Sequence, residues 1–176
     1  MANDDKVRIL PYDRIYKNFI NQKYIPKGKD EYYLRNEQSV FPEEKWRHLR
    51  ADEIESLVNN KNVATNWDDV LVTDEFDPKM VKRNSFFGLV RIGRIKREVL
   101  EYHDLRVPVG ITDSSIVSCD IGDDVAIHNV HYLANYIISD RCVLFNVNEI
   151  STTDHSKFGN GILKEGEDED VRIWLE

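Results

Sequence analysis

The sequence predicts a mainly β chain wound as a parallel β-helix, and three observations predict it. Bulky aliphatic residues recur at intervals of six, at Ile121, Ile127 and Leu133 and then, after a one-residue slip, at Ile138, Leu144 and Ile150. Gly, Asp, Asn and Ser fill the intervals, as in Ile121-Gly-Asp-Asp-Val, with a small or β-branched residue expected four positions after each aliphatic. A period of six suits neither an α-helix nor a long alternating strand. It suits very short strands joined by tight turns, each sending one aliphatic side chain into a coil to stack on its counterpart a turn away. An ordinary two-sheet sandwich built from the same strands is the competing arrangement.

Three regions follow in order. Residues 1–85 read as a small N-terminal α+β cap, 86–154 as the six-residue repeats, and 155–176 as a loop and C-terminal hairpin. Within the cap, residues 12–21 are weakly amphipathic, with Ile15, Phe19 and Ile20 on one helical face, and Pro26 and Gly28 end that segment. The stretch to Trp46 reads as irregular chain pinned by Tyr32, Tyr33 and Phe41. The clearest helix spans residues 51–60, where Ile54, Leu57 and Val58 recur at helical spacing and Asp52, Glu53 and Glu55 complement the positive end of the dipole. Asn59, Asn60 and Asn62 stop it. Residues 67–73 have strand character, and 74–82, with the Asp77-Pro78 step, read as a turn or one helical turn. From Phe86 the texture changes to short apolar residues separated by polar ones, and Gly122 fits a turn that needs unusual backbone angles.

Composition bounds the function. The 176 residues are 41% hydrophobic and 32% charged, the balance of a chain that folds as one unit. A net charge of −8 argues against a surface built to neutralise many phosphates, so no nucleic-acid partner is expected. No run reaches bilayer length and the N-terminus lacks the regions of a signal peptide, so no membrane is expected and the chain reads as cytoplasmic. Cys119 and Cys142 sit in apolar repeat sequence without a metal-ligand pattern, and read as inert thiols rather than a disulfide or zinc site.

The hexads around residues 121–126 look like those of the hexapeptide-repeat proteins. That resemblance implies a left-handed β-helix with three hexads per coil, in a group whose members are often trimeric acyltransferases. More closely, the string running from Trp67 through Phe86-Phe-Gly, Ile121-Gly-Asp-Asp, Asn135-Tyr-Ile-Ile, Asn148-Glu-Ile and Lys157-Phe-Gly-Asn-Gly resembles the N-terminal part of an uncharacterised family of larger bacterial β-helix proteins. Its members continue well past this chain, which implies that the chain is a fragment. Residues 171–175 alternate like a strand and end without the polar cap that a solenoid needs.

The chemistry-bearing candidates cluster in the repeats. His131 is the candidate general base, because in acyltransferases resembling this repeat a histidine near a coil corner deprotonates the acceptor, and histidine titrates near neutral pH. It stands four after Ile127, where a small residue is expected. His128, Asn129, Asn135, His155 and Lys157 are the candidate ligand-binding residues. His155 and Lys157 lie in a polar loop with Gly159 and Gly161, suited to an anionic ligand. Structural histidines and ladders of side-chain amides, including Asn146 and Asn148, account for the same residues without any ligand. The five acids of 165–170 lack the spacing of a calcium loop and read as a solvated hairpin tip, and no metal or cofactor is implied. No P-loop, dinucleotide fingerprint or nucleophile elbow occurs. Two functions therefore stand as expectations. One is a transferase-like β-helix, a homotrimer as the hexapeptide-repeat resemblance implies, binding an acyl-CoA or nucleotide-sugar ligand. The other is a non-catalytic structural or interaction module of a larger protein.

Overall fold

Short β-branched triplets form a mainly β structure of parallel sheets in the computed structural model, which describes residues 7–39, 41–42 and 45–152. The chain passes repeatedly through three parallel ladders. The first joins Val81–Lys82, Gly110–Thr112 and the starts of the two long strands Ala126–Ala134 and Val143–Ser151. The second joins Val63–Ala64, Ser85–Phe87, Ser115–Val117 and the ends of the same long strands. The third joins Val70–Val72, Val90–Ile92, Asp120–Ile121 and Ile137–Ile138, with Arg47–His48 pairing antiparallel at its edge.

The six-residue rhythm puts one bulky apolar residue from each rung of each ladder into the interior. Val81, Ile111, Ile127 and Leu144 align in the first ladder; Phe86, Ile116, Leu133 and Ile150 in the second; Val72, Ile92, Ile121 and Ile138 in the third. All twelve are buried except Leu144 and Ile150, which pack half-buried against the core. The slip between Leu133 and Ile138 is part of the pattern. It reproduces the five-residue step from Ile116 to Ile121 one rung below, with which it is in register.

Tight corners set that step. Gly88, Ser118 and Asn135 adopt left-handed backbone angles at one corner, and Arg83, Asp113, Asn129 and Asn146 do so at another. Asn and Asp tolerate this region better than other residues with a Cβ. Gly122 departs from expectation, because its φ is not left-handed. It is required by proximity: a Cβ there would meet Asp140 Oδ1 at 2.5 Å and the Asp140 nitrogen at 2.6 Å.

Parallel pairing begins at Val63, well before the change of texture at Phe86, so residues placed with the cap belong to the ladders. The expected helix is present as Ala51–Asn59 (α2), and residues 74–82 hold the single helical turn Pro78–Met80. Of the strand expected over 67–73 only Val70–Val72 is extended. The N-terminal reading needs two corrections. Residues 12–21 contain only the 3₁₀ turn Tyr12–Ile15, because Asn18 turns left-handed and gives its N–H to Glu31 Oε1 at 2.9 Å. Conversely, the stretch expected to be irregular contains an α-helix, Glu31–Gln38 (α1), whose N-cap Asp30 accepts from the Tyr33 N–H at 3.1 Å. An antiparallel hairpin, Val99–Tyr102 with Leu105–Pro108, is inserted between the third and first ladders. The C-terminal hairpin expected over 155–176 lies outside the described residues.

Candidate functional site

His128 follows the inward Ile127 and so faces outward from the first ladder, in a row with Lys82, Thr112 and Phe145. The inserted hairpin folds back over it and leaves it 8% exposed. Its Nε2 lies 2.7 Å from the Pro108 carbonyl and its Nδ1 2.8 Å from Thr112 Oγ1, with the Phe145 ring edge-on at 6.5 Å. A carbonyl can only accept, so Nε2 carries the proton, and in the neutral ring Nδ1 accepts from the Thr112 hydroxyl. Both nitrogens are engaged in tying the hairpin to the ladder, and neither is available to a ligand.

His131 stands elsewhere. The inner residue of its repeat is Val130, fully buried three positions after Ile127, while His131 is exposed and makes no hydrogen bond or ion pair among the described residues. The small inward position that singled it out is thus filled by its neighbour. Asn129 donates from its amide to Asn146 Oδ1 at 2.8 Å along the corner column. Asn135 donates to the Thr152 carbonyl at 3.0 Å, and its own Oδ1 is buried without a partner among the described residues. Both are corner residues, one rung apart from their partners. His155 and Lys157 lie outside the described residues.

The polar groups most deeply built into the protein are ones that sequence reasoning missed. Asn62, Asn84 and Ser114 form a buried ladder inside the corner after the first ladder. The Asn84 amide donates to Asn62 Oδ1 at 2.9 Å and to the Ile111 carbonyl at 2.9 Å; Asn84 Oδ1 accepts from the Ser114 N–H at 3.0 Å, and Ser114 Oγ from the Val130 N–H at 3.1 Å. Each rung satisfies backbone groups of the next, which a buried corner requires. The outer corner after the third ladder works similarly: Asp140 accepts from the Asp123 N–H at 2.7 Å, and Asp123 from the Arg94 N–H at 2.9 Å. Burial would raise the Asp123 carboxyl, but Lys45 Nζ at 2.8 Å and the Arg94 N–H hold it below the usual carboxylate range.

Asp120 is the most enclosed charge, with no exposed side-chain surface. Two arginines share it. Arg91 binds it through Nε at 2.6 Å and through its terminal nitrogen, while Arg35, arriving on α1, binds it through Nε at 2.8 Å and caps the Leu89 carbonyl at 2.8 Å. Arg91 also donates to Asn36 of the same helix at 2.8 Å. The group locks the N-terminal helix to the third ladder. Sequence offered no local signal for it, since Arg35 and Asp120 stand 85 residues apart. Beside it, burial pushes the Cys119 thiol up to about 11, far from the thiolate that reacts at neutral pH. Cys119 and Cys142 are both free.

Fold and side chains together define a parallel-β chain whose polar residues serve its corners and its N-terminal helix, with no histidine assembled into a catalytic constellation among the described residues. The chain belongs to the family described as a domain of unknown function, DUF4954, whose model matches residues 46–171. It is 47% identical over 171 residues to an uncharacterised protein of Treponema pallidum (strain Nichols), covering 97% of this chain and 24% of that protein. The chain therefore spans about a quarter of the length of the relative it matches. No solved structure matches it. Among the described residues no helix is long and apolar enough to cross a membrane.

Proposed function

We propose that the chain is a non-catalytic structural module: a run of left-handed parallel β-helix that forms part of a larger protein and presents the last rung among its described residues for further coils of that protein to stack on. The observation that carries this reading is the drop in burial at one end of the inner columns. Ile127, Val130 and Leu133 have no exposed surface, whereas Leu144, Val147 and Ile150, their register partners on the next strand, are only half-buried. The strand bearing them, Val143–Ser151, is nine residues long and pairs on one edge among the described residues. Long unblunted edges are templates for further pairing. The three ladders visited in fixed order, with single left-handed residues at their corners, support the coil, and the length of the Treponema relative supports continuation.

The transferase reading has His131 as its one specific residue, and that side chain is exposed and makes no hydrogen bond or ion pair that would orient it among the described residues. Calorimetric titration of the chain with acetyl-CoA and with a UDP-sugar separates the two. The module reading expects no saturable heat with either. Saturable binding accompanied by turnover that His131→Ala removes overturns it.

A further inference from the structure

Two short β-prone segments of the described chain are left without partners, and their side-chain patterns match. The first is the N-terminal arm Val7-Arg8-Ile9-Leu10. Val7 and Ile9 are fully exposed, Leu10 is exposed, and residues 7–10 make no hydrogen bond or ion pair among the described residues. The second is the inserted hairpin, Val99–Tyr102 with Leu105–Pro108, which pairs with no third strand among the described residues. A two-stranded hairpin alone is marginal in water, and a third strand stabilises it. On one of its faces Leu100 and Val107 turn to the core, yet the next pair on that face, Tyr102 and Leu105, is exposed, as is Val99 on the other face.

Laid antiparallel along the free edge of Val99–Tyr102, the arm sets Val7 beside Tyr102, Arg8 beside Glu101, Ile9 beside Leu100 and Leu10 beside Val99. Side chains alternate along a strand, so Val7 and Ile9 extend the apolar face of Tyr102 and Leu100, while Arg8 and Leu10 extend the other. Pro11, with no N–H to donate, falls just past the paired residues. Charge agrees with this register. Residues 98–104 carry Glu98, Glu101 and Asp104 and no Lys or Arg, and residues 7–10 carry Arg8 and no acid. Glu101 binds Arg106 through Oε2, which leaves Oε1 to accept from Arg8. Within one molecule the two segments stand on different ladders. The arm leaves from Tyr12, whose ring centroid lies 6.5 Å from that of Phe87 on the second ladder, whereas His128 ties the hairpin to the first.

We infer that the arm of one copy adds as a third strand to the inserted hairpin of another, an exchange that closes into a dimer when it is reciprocal. Disulfide trapping tests it with two full-length variants, Leu10→Cys and Val99→Cys, each substituted at an exposed position and each also carrying Cys142→Ser. Mixed and oxidised, the two chains are expected to cross-link to each other several-fold faster than Leu10→Cys cross-links to Val63→Cys, a control exposed at the start of the second ladder. Hydrogen exchange gives a second reading. The amides of Val99–Tyr102 are expected to slow several-fold between dilute and concentrated solution in the native chain, and to show no such slowing in Ile9→Asp. Equal trapping at the control position overturns the inference, as does exchange that is independent of concentration. Closure within single molecules of a chain carrying both Leu10→Cys and Val99→Cys in dilute solution overturns it as well.

Discussion

At the residue scale the two neighbouring histidines separate cleanly. His128→Ala deletes two hydrogen bonds at a site that is 8% exposed, leaving the Pro108 carbonyl and the Thr112 hydroxyl under the hairpin without their partner. It is expected to cost about 1–3 kcal/mol in urea unfolding. His131→Ala at its exposed position is expected to stay within about 0.5 kcal/mol of the native value. Equal losses at both positions would mean that His131 is also built into the fold. A carboxylate supplies the pH dependence. Burial would push the Glu53 carboxyl up, but Arg47, at 2.9 Å from each of its oxygens, and the Arg50 N–H at 2.8 Å hold it below the usual range. A carboxyl lowered by folding stabilises the fold above its unfolded value, about 4.3, and that contribution is lost as pH falls through the lower folded value. Thermal melts of Glu53→Gln between pH 7 and pH 3 are therefore expected to show a shallower acid decline than the native chain, from a lower starting point.

At the scale of elements, α1 depends on one buried carboxylate. Asp120→Asn leaves Arg35 and Arg91 enclosed without a counter-charge, and removing one partner of a buried ionic group typically costs about 3–5 kcal/mol. Urea unfolding measures the loss, and proteolysis between Tyr12 and Gln38 should accelerate with it. A loss below about 1 kcal/mol would show that α1 docks without this group. The strands were legible where the helix was not. An inward aliphatic every five or six residues is local information, so Ile121, Ile127, Leu133 and Ile138 could be placed by spacing alone, and Ile127→Ala is expected to cost about 2–5 kcal/mol. The α1 segment has few apolar residues, and its partner is distant in sequence, so no local pattern marked it. The small inner position also departs from its expected phase. It falls three residues after Ile127 rather than four, as Asn84 and Ser114 fall three after Val81 and Ile111, each directly following a left-handed corner residue, Asn129, Arg83 or Asp113. With that phase His131 is exposed, while Asn84 and Ser114 take the inner position.

For the whole molecule, the half-buried last rung among the described residues carries an expectation about association. If Val143–Ser151 is an open end, the isolated chain pairs through it at high concentration, and sedimentation velocity should show reversible, concentration-dependent growth. Replacing the exposed Asn148 of that strand with lysine should weaken that growth while leaving circular dichroism unchanged. A monomer at every concentration would show the edge to be covered already. The inserted hairpin has a different consequence. Asp120 meets Ile137 seventeen residues on, while Arg91 meets Asp120 only after twenty-nine, yet the rungs on either side stay in register. Length is thus decoupled from pitch at this corner. A lineage can lengthen, shorten or replace the excursion at the His103 tip without re-spacing any rung, so new recognition loops can evolve there while the scaffold beneath is left untouched.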